Sequence, residues 1–147
     1  MTAMTTTRAT PATGAAQPSG ARSDAPTLDR QVLTWLRLEG VAALAAGTAV
    51  YGTLGGDWLW FVPALLLIDL SAIGYLANPR LGAFTYDLFH NWAIGLAVLA
   101  VGLALDLPIL ALAGAVLIAH VGLDRSVGYG LKLTTGFKHT HLGRVGR

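Results

Sequence analysis

Leu117-Ile118-Ala119-His120-Val121-Gly122-Leu123-Asp124-Arg125 decides the reading of this chain. It closes an apolar run that begins at Pro108, and it sets His120 and Asp124 into that run four residues apart. On a helix this spacing puts both side chains on one face. The run has the roughly 17–25 residues needed to cross about 30 Å of hydrocarbon. Ionisable groups are costly there, so their presence marks a polar site or a buried pair.

Working outward, three more runs have the same character, at about residues 31–54, 58–76 and 81–105. None alternates as a barrel strand does. Short breakers join them: Thr53-Leu54-Gly55-Gly56-Asp57, Asn78-Pro79-Arg80 and Asp106-Leu107-Pro108. The residue before a proline avoids the helical region, and proline suits the first turn of a helix. Short connections make neighbouring helices antiparallel. The expectation is an all-α integral membrane protein, a four-helix bundle running up-down-up-down.

Composition points the same way. Of 147 residues, 54% are hydrophobic and 12% charged, against about 25% charged in soluble domains. The ten Lys and Arg fall before or at the start of the first run, between the second and third, or after the fourth. The other two connections carry only Asp57 and Asp106. This asymmetry predicts both termini on the cytoplasmic side of the cell membrane. Basic residues that flank membrane runs do not make a nucleic-acid surface, so the expected partner is the lipid bilayer. Without cysteine there is no disulfide or thiolate site. A metal would take carboxylate, imidazole or carbonyl ligands.

Residues 1–28 are rich in Thr, Ala, Pro, Gly and Ser without helical or strand period, and are expected to form a disordered cytoplasmic tail. Residues 29–125 form the transmembrane domain in this reading. Residues 126–147 form a Gly-rich, basic juxtamembrane segment that lies on the surface or folds back under the bundle. Lys132, Lys138 and Arg144 would face anionic headgroups there.

In an up-down bundle Glu39, Asp69, Asp87, His90, His120 and Asp124 all reach the cytoplasmic end, at depths that agree within a turn or two. Carboxylate-bridged di-metal bundles offer one acid from each of two helices and an acid/His pair from each of the others. The same resources are present here. His90, His120 and Asp124 would ligate a zinc, iron or manganese ion, Asp69 would be a fourth or bridging ligand, and Glu39 the general base. Water activated there could attack an ester or amide of a lipid-like substrate that arrives through the bilayer. The competing reading is structural: Arg37, Arg80 and Arg125 stand at the same end and can pair with the carboxylates. The protein would then be non-enzymatic, a partner subunit or small transporter. Small residues such as Ala43/Gly47 and Gly95/Gly102 serve any bundle and set no oligomeric state.

The motifs Leu36-Arg37-Leu38-Glu39-Gly40, Asp69-Leu70-Ser71, Tyr86-Asp87-Leu88-Phe89-His90, the run from His120 to Arg125, Gly128-Tyr129-Gly130-Leu131-Lys132 and Thr140-His141-Leu142-Gly143 together resemble the DUF4260 family of small bacterial integral membrane proteins. The resemblance covers residues 36–143. It implies no catalytic assignment. It implies Asn at the position of Asp87, which leaves Glu39, Asp69, His90, His120 and Asp124 as the stronger candidates.

Overall fold

Helix α1 (Arg30–Thr53) starts where the Asp29 side chain accepts a hydrogen bond from the Gln31 amide. A carboxylate at this position satisfies a donor that the helix itself leaves free. The computed structural model describes residues 29–145, so the expected disorder of residues 1–28 lies outside the described residues. The turn after α1 uses Gly55 at φ 75°, a left-handed conformation that glycine adopts without a Cβ clash. Asp57 then caps α2 (Trp58–Ile68) through Leu59 N–H, and the Tyr51 hydroxyl donates to the Asp57 carbonyl at 2.8 Å.

Two of the expected helices are interrupted. The run at 58–76 is α-helical only to Ile68 and continues as a 3-10 segment, Asp69–Leu76. Thr85 Oγ1 donates to the Ser71 carbonyl at 2.7 Å, so that carbonyl is held from outside its own ladder. A tighter turn inside a helix often accompanies such strain. The run at 81–105 is two helices, α3 (Pro79–Phe89) and α4 (Trp92–Ala104), bent by 46°. Asn91 sits in an extended conformation and its side chain accepts from Ala93 N–H at 2.8 Å. An N-cap in mid-run starts a new helix, and the break leaves His90 as the C-cap of the old one.

Helix α5 (Pro108–Val127) is the axis of the fold. Helices α1 and α4 pack along it, α2 leans on it, and α3 packs on the 3-10 segment. Close approach depends on missing side chains. A Cβ on Gly47 would meet the Ala119 backbone, one on Gly122 the Leu44 backbone, and one on Gly114 the Leu99 backbone. Helix α5 ends at Gly128 (φ 94°), with Gly128 N–H on the Arg125 carbonyl and Tyr129 N–H on the Asp124 carbonyl, a Schellman closure.

The outer face is apolar. Leu59, Leu66, Ile73, Leu76 and Ile109 are each more than 60% exposed, a surface that water-soluble monomers avoid. Trp58–Leu76 and Pro108–Val127 are long and apolar enough to cross a membrane, and the bent α3–α4 pair makes a third if it counts as one span. Helix α1 is the longest, at 24 residues, but is not among them. This is compatible with a membrane protein.

The C-terminal segment folds back onto the helices. The Lys132 amide donates to Asp87 Oδ1 at 2.7 Å, and Phe137 meets Tyr75 edge-on with ring centroids 5.3 Å apart. A two-residue ladder, His139–Thr140 against Gly143–Arg144, closes it.

Candidate metal centre

The break after α3 creates the centre. The Tyr86 carbonyl accepts from the His90 amide at 3.0 Å and also meets His90 Nδ1 at 2.8 Å. A carbonyl only accepts, so Nδ1 carries the proton. His90 Nε2 is then a bare lone pair when the ring is neutral. The Tyr86 ring stacks on the imidazole, with centroids 3.5 Å apart and planes at 13°. Backbone and ring together leave His90 one orientation, and it is 2% exposed.

His120 approaches from the middle of α5. Its Nε2 lies 3.0 Å from His90 Nε2, and its Nδ1 is buried without a hydrogen-bond partner. Asp69, the first residue of the 3-10 segment, places Oδ1 3.5 Å from each Nε2. These three residues form a group that can hold a metal ion. Asp124 stands one step back, with Oδ2 3.7 Å from His90 Nε2 and Oδ1 4.0 Å from His120 Nε2. The Tyr86 hydroxyl donates to Asp124 Oδ2 at 2.8 Å.

The distances argue against carboxylate–imidazole pairing. A charge-assisted N–H···O bond measures about 2.7–2.9 Å, so 3.5 Å is long for carboxylate–imidazole pairing. Ligand atoms held tetrahedrally at about 2.0–2.1 Å from one ion are about 3.3–3.4 Å apart. Edges of 3.0, 3.5 and 3.5 Å enclose a point about 1.9 Å from all three atoms. The donor set, two imidazole nitrogens and a carboxylate, suits zinc or another divalent transition ion. The ring nitrogen facing away from an ion normally has its own partner. His90 has one and His120 has none. That orphan costs about 1–3 kcal/mol.

The structure brings together four of the expected site residues, Asp69, His90, His120 and Asp124. It does not bring Glu39 to them. Gly40 and Gly47 face α5, and one residue along a helix turns the side chain by about 100°. Glu39 is therefore off the contact stripe, exposed, with no hydrogen bond or ion pair among the described residues. The arginine pairing is not found either. Among the described residues, every carboxylate contact with a basic side chain within 4.0 Å is to His90 or His120. Arg125 instead donates to the Tyr129 carbonyl at 3.3 Å. Asp87 accepts the Lys132 amide and pins the C-terminal segment, a task an Asn side-chain oxygen would do equally.

Tyr86 is the residue that sequence reasoning missed. The spacing Tyr86-x-x-x-His90 on one helical face was the available signal. Lys132 was also unforeseen as a buried group. Its Nζ lies over the rings of Phe137, Tyr86 and Tyr129, at 4.1, 4.9 and 5.8 Å from their centroids. Burial pushes its pKa below the ordinary lysine value, against the pull of Asp124, Asp69 and Asp87. His141 is lowered too, first by burial and then by Arg125.

The family model described as Domain of unknown function (DUF4260) matches residues 33–145, which span α1 to the C-terminal ladder. No curated protein and no solved structure matches the chain.

Proposed function

Since the chain belongs to the DUF4260 family, a domain of unknown function, we propose its function from the geometry: it is a membrane-embedded, metal-dependent hydrolase acting on a lipid-like ester or amide. The observation that carries this is the triangle of Asp69 Oδ1, His90 Nε2 and His120 Nε2. Three protein ligands leave a fourth position free, as catalytic zinc sites do. Asp69 is half exposed while both histidines are buried, so the open side lies at Asp69.

A divalent ion supplies Lewis acidity and a water of lowered pKa. The chain supplies the rest. Asp124 takes the general-base role first assigned to Glu39, because it is close to both histidines and Tyr86 fixes one of its oxygens. Asp124 accepts a proton from water as the water oxygen bonds to the carbonyl carbon. The carbon–oxygen or carbon–nitrogen bond then breaks, and Asp124 returns the proton to the leaving alcohol or amine. In the membrane, α1 joins the other three segments as a fourth pass, up-down-up-down, with both termini cytoplasmic. The placement of the ten basic residues supports this orientation.

One observation favours a structural alternative. A separation of 3.0 Å between the two Nε2 atoms also fits an N–H···N hydrogen bond, as in a non-enzymatic partner subunit or small transporter. Elemental analysis of chelator-free protein in detergent decides between them. Near-stoichiometric zinc, iron or manganese, lost in His120→Ala with helicity retained, is the expected result. Protein without metal, whose His120→Ala variant is merely less stable, overturns the hydrolase reading.

A further inference from the structure

Helix α5 carries a second feature on the face next to the metal group. A cavity of about 520 Å³ lies between α2, its 3-10 extension and α5, with Phe89 at one end. Each residue of the group has a close neighbour in its wall. Ile68 and Leu70 flank Asp69, Phe89 precedes His90, and Val116 and Leu117 stand four and three residues before His120. The last spacing keeps them on the His120 face of α5. The cavity therefore ends about one helical turn short of His120, and Asp69, His90 and His120 are themselves outside its wall. Its other end is marked by Ile109, near the start of α5.

We propose that this cavity is an acyl-chain site, which holds one lipid tail so that the head end of the chain lies against Asp69, His90 and His120. The proposal rests on the hydrolase reading for its chemistry and on the cavity for its geometry. From Ile109 to Leu117 the wall runs for about 12 Å along the helix. One leaflet of a bilayer has about 15 Å of hydrocarbon, so the cavity accepts most of a single ordinary chain. Almost all its lining is apolar. Of the two polar side chains in the wall, Tyr51 spends its hydroxyl on Asp57, and Ser71 has a buried hydroxyl with no partner. Ser71 sits two residues from Asp69 at the head end. Its hydroxyl is buried and would meet the carbonyl of an ester or amide only after the side chain turns into the cavity, while the cavity supplies the depth at which that carbonyl stops.

A chain leaving the bilayer for this groove exchanges one apolar surrounding for another, so transfer from water adds nothing. The groove's contribution is registration. It selects long-chain acyl compounds by where their carbonyl comes to rest, and shorter chains lose that alignment.

The test uses palmitic acid bearing a diazirine, in phosphatidylcholine vesicles containing the full chain. Photolabelled residues are mapped by peptide mass spectrometry. Labels on Ala64–Ser71 and Ile109–Leu117 should exceed those on the exposed α4 residues Leu96 and Leu103 several-fold. A diazirine near the carboxylate should mark the Leu70–Ser71 end and one near the methyl terminus the Ile109 end. Ala113→Trp, at an exposed position in the wall, should reduce groove labelling to the α4 level. Even labelling of groove and α4 in the unmodified protein, or a reversed order of the two probes, overturns the proposal. Zinc content is read on the same samples. Groove-specific labels in protein that binds no metal would remove the hydrolase reading and leave the acyl site standing.

Discussion

Tyr86→Phe separates positioning from packing with one oxygen atom. The ring that stacks on His90 stays, and so does the backbone carbonyl that holds His90 Nδ1. Only the 2.8 Å bond from the hydroxyl to Asp124 Oδ2 is lost. Asp124 lies beside both ligating histidines, and groups just outside the ligands of a metal site typically contribute 10–100-fold in affinity, which bounds from above the loss of this bond. Metal that binds only the folded chain stabilises it by RT ln(1 + [L]/Kd), about 2.7 kcal/mol at a hundredfold excess over Kd. At the same zinc concentration a variant weakened tenfold would gain about 1.4 kcal/mol, and one weakened a hundredfold about 0.4 kcal/mol. The assay is denaturation in detergent with and without zinc, on both proteins at one lipid-to-protein ratio. The difference between the two zinc-induced gains isolates Tyr86 from any general loss of stability. Equal gains in wild type and variant would refute the role of the hydroxyl. No gain in either would refute the metal centre itself.

Gly122→Val should destabilise the fold by more than the about 1–3 kcal/mol usual for overpacking, because the new Cβ meets α1 backbone and not a side chain that can move; a detergent unfolding curve unchanged from wild type would contradict the α1–α5 contact. Asp87→Asn should leave the C-terminal segment docked, since the amide oxygen can still accept Lys132 N–H, whereas Asp87→Leu should expose residues after Gly128 to protease. Digestion patterns that do not distinguish the two variants would deny Asp87 its pinning role. Lys132 imposes a pH slope. Burial lowers its folded pKa below an unfolded value of about 10.4. Between those two values the unfolded chain binds the extra proton, so stability rises with pH across that window. Lys132→Met should flatten the slope, and an unchanged slope would assign it to another group.

Much of the architecture was legible because it is a matter of solvent. Long apolar runs bounded by turn residues marked helical segments whose ends moved by only a few residues. The breaks within the second and third runs were not legible. Hydropathy sums over Asp69–Leu76 and over His90-Asn91 without registering that a Thr85 hydroxyl competes for the Ser71 carbonyl or that Asn91 caps a new helix. Asp69, His90, His120 and Asp124 were grouped by their spacing and depth, and they lie together in the fold. Glu39 was grouped with them by depth alone, and depth carries no information about rotation around the helix. Its neighbour Gly40 was the better guide, since a glycine that must touch α5 turns the preceding side chain away.

The breaks and the site have one cause. A straight third helix would continue its ladder past Phe89 and carry the His90 imidazole around with the helical repeat. Instead the chain turns at His90, and the Tyr86 carbonyl keeps the regular helical bond from the His90 amide while also accepting from Nδ1 of that residue. The 3-10 segment does the same for Asp69. It begins at that residue, on the wall that faces the histidines, and the tie from Thr85 to Ser71 joins the segment to α3. Two departures from regular helix therefore hold the two ligands that come from outside α5, each with a hydrogen bond that regular helix would not make. Such irregularities are costly in a bilayer unless every released polar group finds a partner. Among the buried side-chain polar atoms of the described residues, His120 Nδ1, Ser71 Oγ and Tyr75 Oη have no partner. Two of these three belong to the metal group and the cavity wall beside it, and His120 Nδ1 faces away from the triangle, so an ion held there would leave it without a partner.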